Sequence, residues 1–274
     1  MKIHQNYDAI IVGSGMGGMS AGAMLAKNGY KVLILEAAHA PGGCSSSYYR
    51  KGFVFESGAT TLMGFDENQP LRRLEEETGI EIPKEEITPP MSVWLNGKQI
   101  TRYKNRERWI AEAGRVFGNE TAQRAFWEEA LKVSDLIWKL SLKNNLFPPQ
   151  KPSEWLRLIT QNSPLDVWVL KYAFQSVRQV MQQFDVDTPE FRRFVDEQLM
   201  ITAQAQSEET PFLFGAAGLT YTNYSNYYVP GGLLEMVNAI RLYIQNRGGA
   251  LHTKEAVQLI SGKEGEFIIH TKKK

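Results

Sequence analysis

The sequence predicts an α/β protein: a β-α-β unit near the N-terminus, interrupted by an α-rich insert and resumed towards the C-terminal end. Three observations predict it. The apolar run Ala9 to Val12 leads straight into the glycine cluster Gly13-Ser14-Gly15-Met16-Gly17-Gly18 and a stretch rich in Ala, Met and Leu. A second apolar run, "KVLIL", ends on an acid, Glu36. From about Asn105 to Met200 glycine becomes scarce while Trp, Leu, Lys, Glu and Gln recur at helical spacing, and α/β text returns beyond Gly232.

Taken in order, Ala9 to Val12 predicts a fully buried parallel strand, because it is apolar throughout and stops at a glycine. Met16 to Asn28 predicts a helix closed by Asn28-Gly29, and Lys31 to Leu35 a second buried strand. Pro41 to about Gly64 reads as loop with short β pieces, including "GFVFESG". Pro70 to Thr78 predicts a helix closed by Gly79, with Glu75-Glu76-Glu77 as a solvated face. "MSVWLNGKQITRY" predicts a hairpin turning on Asn96-Gly97. Helices broken at "FPPQKP" and "NSP" fill the insert, and Pro211 to Gly232 reads as loop and strand material. A helix from Leu233 to Asn246 and strands at Ala250 to His252, "EAVQLI" and "EFIIH" restore the α/β style. The expected division is therefore 1–90, 91–228 and 229–274, the outer two forming one discontinuous domain.

Bulk properties exclude several classes. A net charge of +1 gives no electrostatic reason to expect a nucleic-acid partner. No stretch approaches the roughly 20 apolar residues of a membrane span, so any membrane contact is expected to be peripheral. No signal peptide is visible and the single cysteine, Cys44, excludes an intrachain disulfide, so a cytoplasmic, reducing setting is expected. His4, His39, His252 and His270 share no metal spacing, so no metal site is expected. No Gly-x-Ser-x-Gly elbow points to hydrolysis.

The cluster from Gly13 to Gly18 is a G-x-G-x-x-G following a strand and opening a helix, with Glu36 about 20 residues further on. Gly13 permits the tight turn, Gly15 lets the backbone approach a pyrophosphate, and Gly18 lets helix and strand pack closely. The helix N-terminus offers free N–H groups to phosphate. Glu36 accepts hydrogen bonds from ribose hydroxyls and disfavours a 2′-phosphate. These residues predict an adenine dinucleotide without separating FAD from NAD.

"EAAHAPGGCSSSYYRKGFVFESGAT" resembles the second signature of the FAD-dependent family that holds amine oxidases, phytoene desaturases and carotenoid isomerases. There the ribose-binding acid is followed by a Gly-Gly turn, here Pro41-Gly42-Gly43, and an aromatic strand ends in an acid-x-Gly step, here Glu56-Ser57-Gly58. "VPGGLLEMVNAIRLYIQNRGGALHTKEAVQLI" is similar to the same family's re-entry segment, whose valine, here Val257, contacts the adenine edge. Ala40 stands where the family often has Arg, and Glu56 where it usually has Asp.

The resemblance implies a Rossmann-like FAD-binding domain with an inserted α-rich substrate domain. It implies cofactor contacts at Gly13, Ser14, Gly15, Gly17, Gly18, Glu36, Ala37, Gly42, Gly43, Ser45, Gly58 and Val257. It further implies a flavin-dependent desaturation or cis–trans isomerisation of an apolar polyene such as a carotenoid, although no general base can be named. Family members are much longer and carry a Gly-Asp motif near their C-terminus. On the resemblance this chain corresponds to their N-terminal portion and calls for a complementary C-terminal half. Alternatives from other classes are a non-catalytic remnant that binds ADP, FAD or lipid, and an amine-oxidase-type enzyme. Trp155 to Val180 could form an amphipathic helix at a membrane interface, against the plainer reading of a tryptophan-rich core. Cys44 is read as a small packing residue rather than a redox site.

Overall fold

A computed structural model of the chain describes residues 6–143, 150–263 and 265–273. Strand β1 (Ala9–Val12) runs parallel to β2 (Val32–Leu35), with Ala9 opposite Val32 and Val12 opposite Leu35. Helix α1 (Met16–Lys27) crosses between them and buries Met19, Gly22, Ala23 and Ala26. Gly22, Ala23 and Ala26 are small and bring the helix close to the sheet. It stops at Asn28, with Gly29 in the left-handed region at φ +85°. The expectation of full burial fails for β1: its first three residues are half-buried and Val12 is 54% exposed. Among the described strands β1 lies at the edge of its sheet, so one flank has no neighbour to cover it.

The segment expected as loop with β pieces contains a hairpin of β3 (Ser47–Arg50) and β4 (Phe53–Glu56), turning on Lys51 and Gly52, both at positive φ. Tyr48 stacks on Phe55 across it at 5.4 Å. Helix α2 (Pro70–Thr78) follows. Its acidic run is ion-paired rather than merely solvated: Glu75 meets Lys84, Glu76 meets Arg72 and Glu77 meets Lys27. A two-residue strand, β5 (Glu85–Glu86), closes this part.

The insert begins with β6 (Met91–Leu95) and β7 (Lys98–Arg102), antiparallel around Asn96 at φ +50° and Gly97 at φ +76°. Both positive φ angles are what a two-residue primed turn requires, which is why Asn-Gly stands there. Helix α3 (Arg106–Phe117) is capped by the Asn105 side chain, which accepts from Arg108 N at 2.9 Å. Helices α4 (Glu120–Lys143), α5 (Pro152–Gln161), α6 (Pro164–Val167), α7 (Val177–Gln183), α8 (Pro189–Thr202) and α9 (Phe212–Thr220) complete it. The first half of the break expected at "FPPQKP" falls outside the described residues.

Two expectations for the insert are corrected. Trp155 to Val180 is not one amphipathic helix but α5, α6, a 3₁₀ segment at Trp168–Phe174 and the start of α7. Asn162, extended at φ −120°, ends α5, and Pro164 starts the next helix. The segment from Pro211, expected as loop and strand, contains α9. Its sequence, "FLFGAAGLT", is buried on nearly all sides, so no polar face reveals the helical period. Of the six tryptophans Trp109 and Trp127 are fully buried in the core, Trp138, Trp155 and Trp168 are half-buried, and Trp94 is exposed.

The α/β style then resumes with β8 (Tyr227–Tyr228) against β5, and with helix α10 (Leu234–Gln245). Strand β9 (Ala250–His252) adds to β2 in parallel, giving the order β1-β2-β9. Strands β10 (Glu255–Lys263) and β11 (Glu266–Lys273) form a terminal hairpin. The chain divides into two compact units. One gathers the chain up to Leu62, Leu71–Glu86 and the chain from Tyr227 onward; the other holds Met63–Pro70 and Ile87–Asn226. No described helix is long and apolar enough to cross a membrane.

Candidate dinucleotide site

The glycine loop carries two kinds of glycine. Gly13, at φ +95°, reverses the chain after β1 while its N–H donates to Leu35 O at 2.8 Å. A Cβ on Gly18 would stand 2.2 Å from Gly13 O, so this glycine exists for helix–strand contact. A Cβ on Gly15 or Gly17 would meet nothing within 4 Å. No side chain caps the first turn of α1, and no acid lies in it. The positive end of the helix is thus presented to open space, which suits phosphate.

Glu36 stands at the end of β2, its backbone sewn into the far strand: its N–H donates to His252 O, and Glu255 N–H donates to Glu36 O, both at 2.8 Å. Its Oε2 accepts from Ser14 N at 2.9 Å and Ser14 Oγ at 2.6 Å, while Oε1 accepts from Ala38 N at 2.8 Å. Burial alone would raise the carboxyl pKa. The Ser14 hydroxyl and the backbone N–H groups of Ala38, Ser14 and Ala37 outweigh it and hold Glu36 below the usual carboxylate value. An ionised, half-buried acceptor therefore stands beside the uncapped helix end.

The second glycine turn lies directly on the first. Gly42 and Gly43 both take positive φ, +112° and +59°. Gly42 N donates to Ser14 Oγ at 3.1 Å, Gly15 and Gly42 form an isolated parallel bridge, and a Cβ on Gly43 would come within 3.3 Å of Gly15 Cα. Ser45 N donates back to Gly42 O at 3.0 Å. Gly58 packs on the Cys44 backbone, where a Cβ would stand 3.1 Å from Cys44 O. Cys44 itself is exposed.

Gly13, Ser14, Gly15, Gly18, Glu36, Gly42 and Gly43 thus come together, with Gly17 and Ala37 adjacent in sequence and Ser45 and Gly58 reached through the second turn. Val257 stands apart, half-buried in β10, two residues past the Glu255–Glu36 bond. Among the described residues no group of His, Cys, Asp and Glu could hold a metal ion; His4 lies outside them.

The N-terminus of α10 is closed by residues that no local sequence signal brings together. Ser47 Oγ donates to Glu56 Oε2 at 2.6 Å, Leu233 N donates to Glu56 Oε1 at 3.0 Å, and Leu234 N donates to Ser47 Oγ at 3.1 Å. An internal carboxylate therefore already satisfies the N-terminus of α10, unlike that of α1. The acid and the Pro-Gly-Gly are each visible in the sequence, but nothing local pairs them across 177 positions. Glu56→Ala is expected to lower the unfolding free energy by about 2 kcal/mol, the usual value for a charged hydrogen bond to backbone. Glu56→Gln should recover part of it. A urea melt of the two variants checks this.

A groove of about 450 Å³ lies in the insert, lined by Arg106, Ile110, Leu131, Lys132, Leu136 and Trp168 among others. Lys132 sits 4.3 Å above the Trp168 ring, and Arg106 is held by Asp135 at 2.8 Å.

The Rossmann-like fold recurs in known proteins. The family model for NAD(P)-binding Rossmann-like domains matches residues 11–78. Prolycopene isomerase 1 of an Oncidium hybrid cultivar is 26% identical over 271 residues, which cover 96% of this chain and 45% of that protein. Human all-trans-retinol 13,14-reductase is 26% identical, covering 94% and 43%. Nearly the whole chain is thus similar to prolycopene isomerases and all-trans-retinol 13,14-reductases, and its N-terminal part to NAD(P)-binding Rossmann-like domains. The chain spans less than half the length of these curated relatives. Fold similarity extends to solved structures. Putrescine oxidase bound to putrescine aligns with a TM-score of 0.60 at 17% identity, covering 97% of this chain and 54% of the other. A fatty acid isomerase from P. acnes that produces CLA aligns at 0.53 and 14%, covering 98% and 56%.

Proposed function

We propose that this chain binds FAD and serves a flavin-dependent oxidoreductase that desaturates or isomerises an apolar polyene. One observation carries the cofactor reading: an ionised Glu36 carboxylate beside an uncapped helix end, with a second glycine turn laid on the first. Gly15 and Gly17 would leave room for the pyrophosphate at the N-terminus of α1, Gly13, Ser14 and Gly18 would hold the loop in shape around it, and Glu36 would accept the ribose hydroxyls and repel a 2′-phosphate. Ala37 and Val257 would border the adenine. Gly42, Gly43, Ser45 and Gly58 would let the chain run close to the rest of the dinucleotide, where side chains would intrude. The bound flavin supplies the two-electron chemistry. These residues bind and orient it.

The substrate class rests on the relatives' names, prolycopene and all-trans-retinol being polyenes. A complementary C-terminal segment would complete the enzyme, and contact with a membrane, from the cytoplasmic side, would be peripheral.

Titrating the purified chain with FAD tests the cofactor reading. Flavin fluorescence should fall on binding, and Gly15→Val should weaken affinity at least about tenfold, a loss of roughly 1.4 kcal/mol, because its side chain enters the space left for phosphate. Wild-type protein that takes up neither FAD nor ADP would favour a non-binding remnant.

A further inference from the structure

We propose that Ser14 is a positioning residue that sets ribose recognition by locking the Glu36 carboxylate, rather than a residue that touches the dinucleotide through its side chain. The inference rests on the FAD reading above. Ser14 is fully buried. A serine hydroxyl has one proton and two lone pairs. Here the proton goes to Glu36 Oε2 at 2.6 Å, and one lone pair receives the Gly42 N–H at 3.1 Å. The backbone N–H of Ser14 reaches the same Oε2 at 2.9 Å. To donate to a ligand, the hydroxyl would have to release Glu36.

One side chain therefore joins three segments distant in sequence: the first glycine loop, the acid at the end of β2 and the second glycine turn. Two donors from Ser14 on Oε2 and one from Ala38 on Oε1 restrict the carboxylate to one orientation. Alanine at this position keeps the backbone donor but loses the hydroxyl. The Glu36 side chain then regains rotamer freedom, and Gly42 N–H loses its acceptor. A recognition group held by a supporting shell loses selectivity when that shell is removed, even while the group remains present.

The test compares binding of ADP and 2′,3′-dideoxy-ADP by calorimetry in wild type, Ser14→Ala, Ser14→Cys and Glu36→Gln. Wild type should prefer ADP by about tenfold or more. Ser14→Ala should bring that ratio near one while dideoxy-ADP affinity changes less than about threefold. Ser14→Cys, which keeps a weaker donor in a similar volume, should lie between and serves in its place should the alanine variant not fold. Combining Ser14→Ala with Glu36→Gln should add little to Glu36→Gln alone, as for two groups acting as one unit. Equal weakening of both ligands, or an unchanged ratio, would overturn the proposal while leaving the dinucleotide reading intact. Wild type that binds neither nucleotide would overturn both.

Discussion

Trp127→Ala is expected to lower the stability of the helical insert by about 3–5 kcal/mol, the range for truncating a buried aromatic. Trp127 is fully buried. Its ring meets Trp109 edge-on at 4.9 Å and Phe126 at 5.3 Å, and its Nε1 donates to Gln123 Oε1 at 3.0 Å. It also flanks an unusual buried cation. The Arg102 guanidinium lies 3.9 Å from the Trp109 ring centroid, 5.1 Å from that of Trp127 and 5.7 Å from that of Phe194. One Arg102 nitrogen donates to Leu219 O at 2.6 Å, while Nε and Nη1 have no hydrogen-bond partner. Burial pushes the Arg102 pKa down to about 9, so it remains charged at neutral pH. The aromatic faces replace part of the lost hydration. Removing Trp127 therefore opens a cavity, strands Gln123 and takes away one of those faces. Trp127→Phe keeps a ring and should lose clearly less. All six tryptophans lie in this unit, so a urea melt followed by tryptophan fluorescence reads it directly. A loss under about 1 kcal/mol for the alanine variant would contradict this account of the core.

Where a local signal carried the physics, the fold was legible. Asn96-Gly97 needs two positive φ angles, and the structure places a hairpin turn there. The apolar runs ending at Gly13 and Glu36 pair in parallel, and Asn28-Gly29 ends α1. What escaped was set by tertiary context. Helix α9 is apolar on nearly every face, so its period vanishes from the sequence. Gly215 and Gly218, which read as loop residues, are there because a Cβ would stand 2.4 Å from Val177 and 2.6 Å from Thr202. The exposure of Val12 follows from an edge position that an apolar run does not encode.

The candidate site divides the same way. Spacing identified the glycines and Glu36, since turn geometry and close backbone approach restrict residue type. Side-chain roles were not legible. Ser14 read as a cofactor contact because of its place inside the motif, yet its hydroxyl is occupied by Glu36 and Gly42. Glu56 read as a family marker, and only the folded chain brings it to Leu233. Hydrogen bonds between residues so far apart leave no periodic trace.

The glycines of the first loop provide the sharpest dissociation between packing and ligand binding. Gly18→Ala is expected to destabilise the nucleotide unit by about 3 kcal/mol, the upper part of the usual overpacking range. Its Cβ would stand 2.2 Å from Gly13 O and 3.2 Å from Ile11 Cγ2. The first of these is backbone, tied to the sheet through the Gly13–Leu35 bond, so no side-chain rotation relieves the clash. The first turn of α1 must lift off β1, and the space for phosphate changes with it. Gly17→Ala should do the reverse. It lies in the helix with nothing within 4 Å of its Cβ position, so alanine should add about 0.5–1 kcal/mol through backbone entropy. The same methyl group would still crowd a pyrophosphate seated on that turn, and FAD affinity should fall. Thermal melts of the two variants, read beside FAD titrations, separate these effects. A Gly18→Ala protein as stable as wild type would overturn the packing argument. Unchanged FAD affinity in Gly17→Ala would place the phosphates away from the first turn of α1.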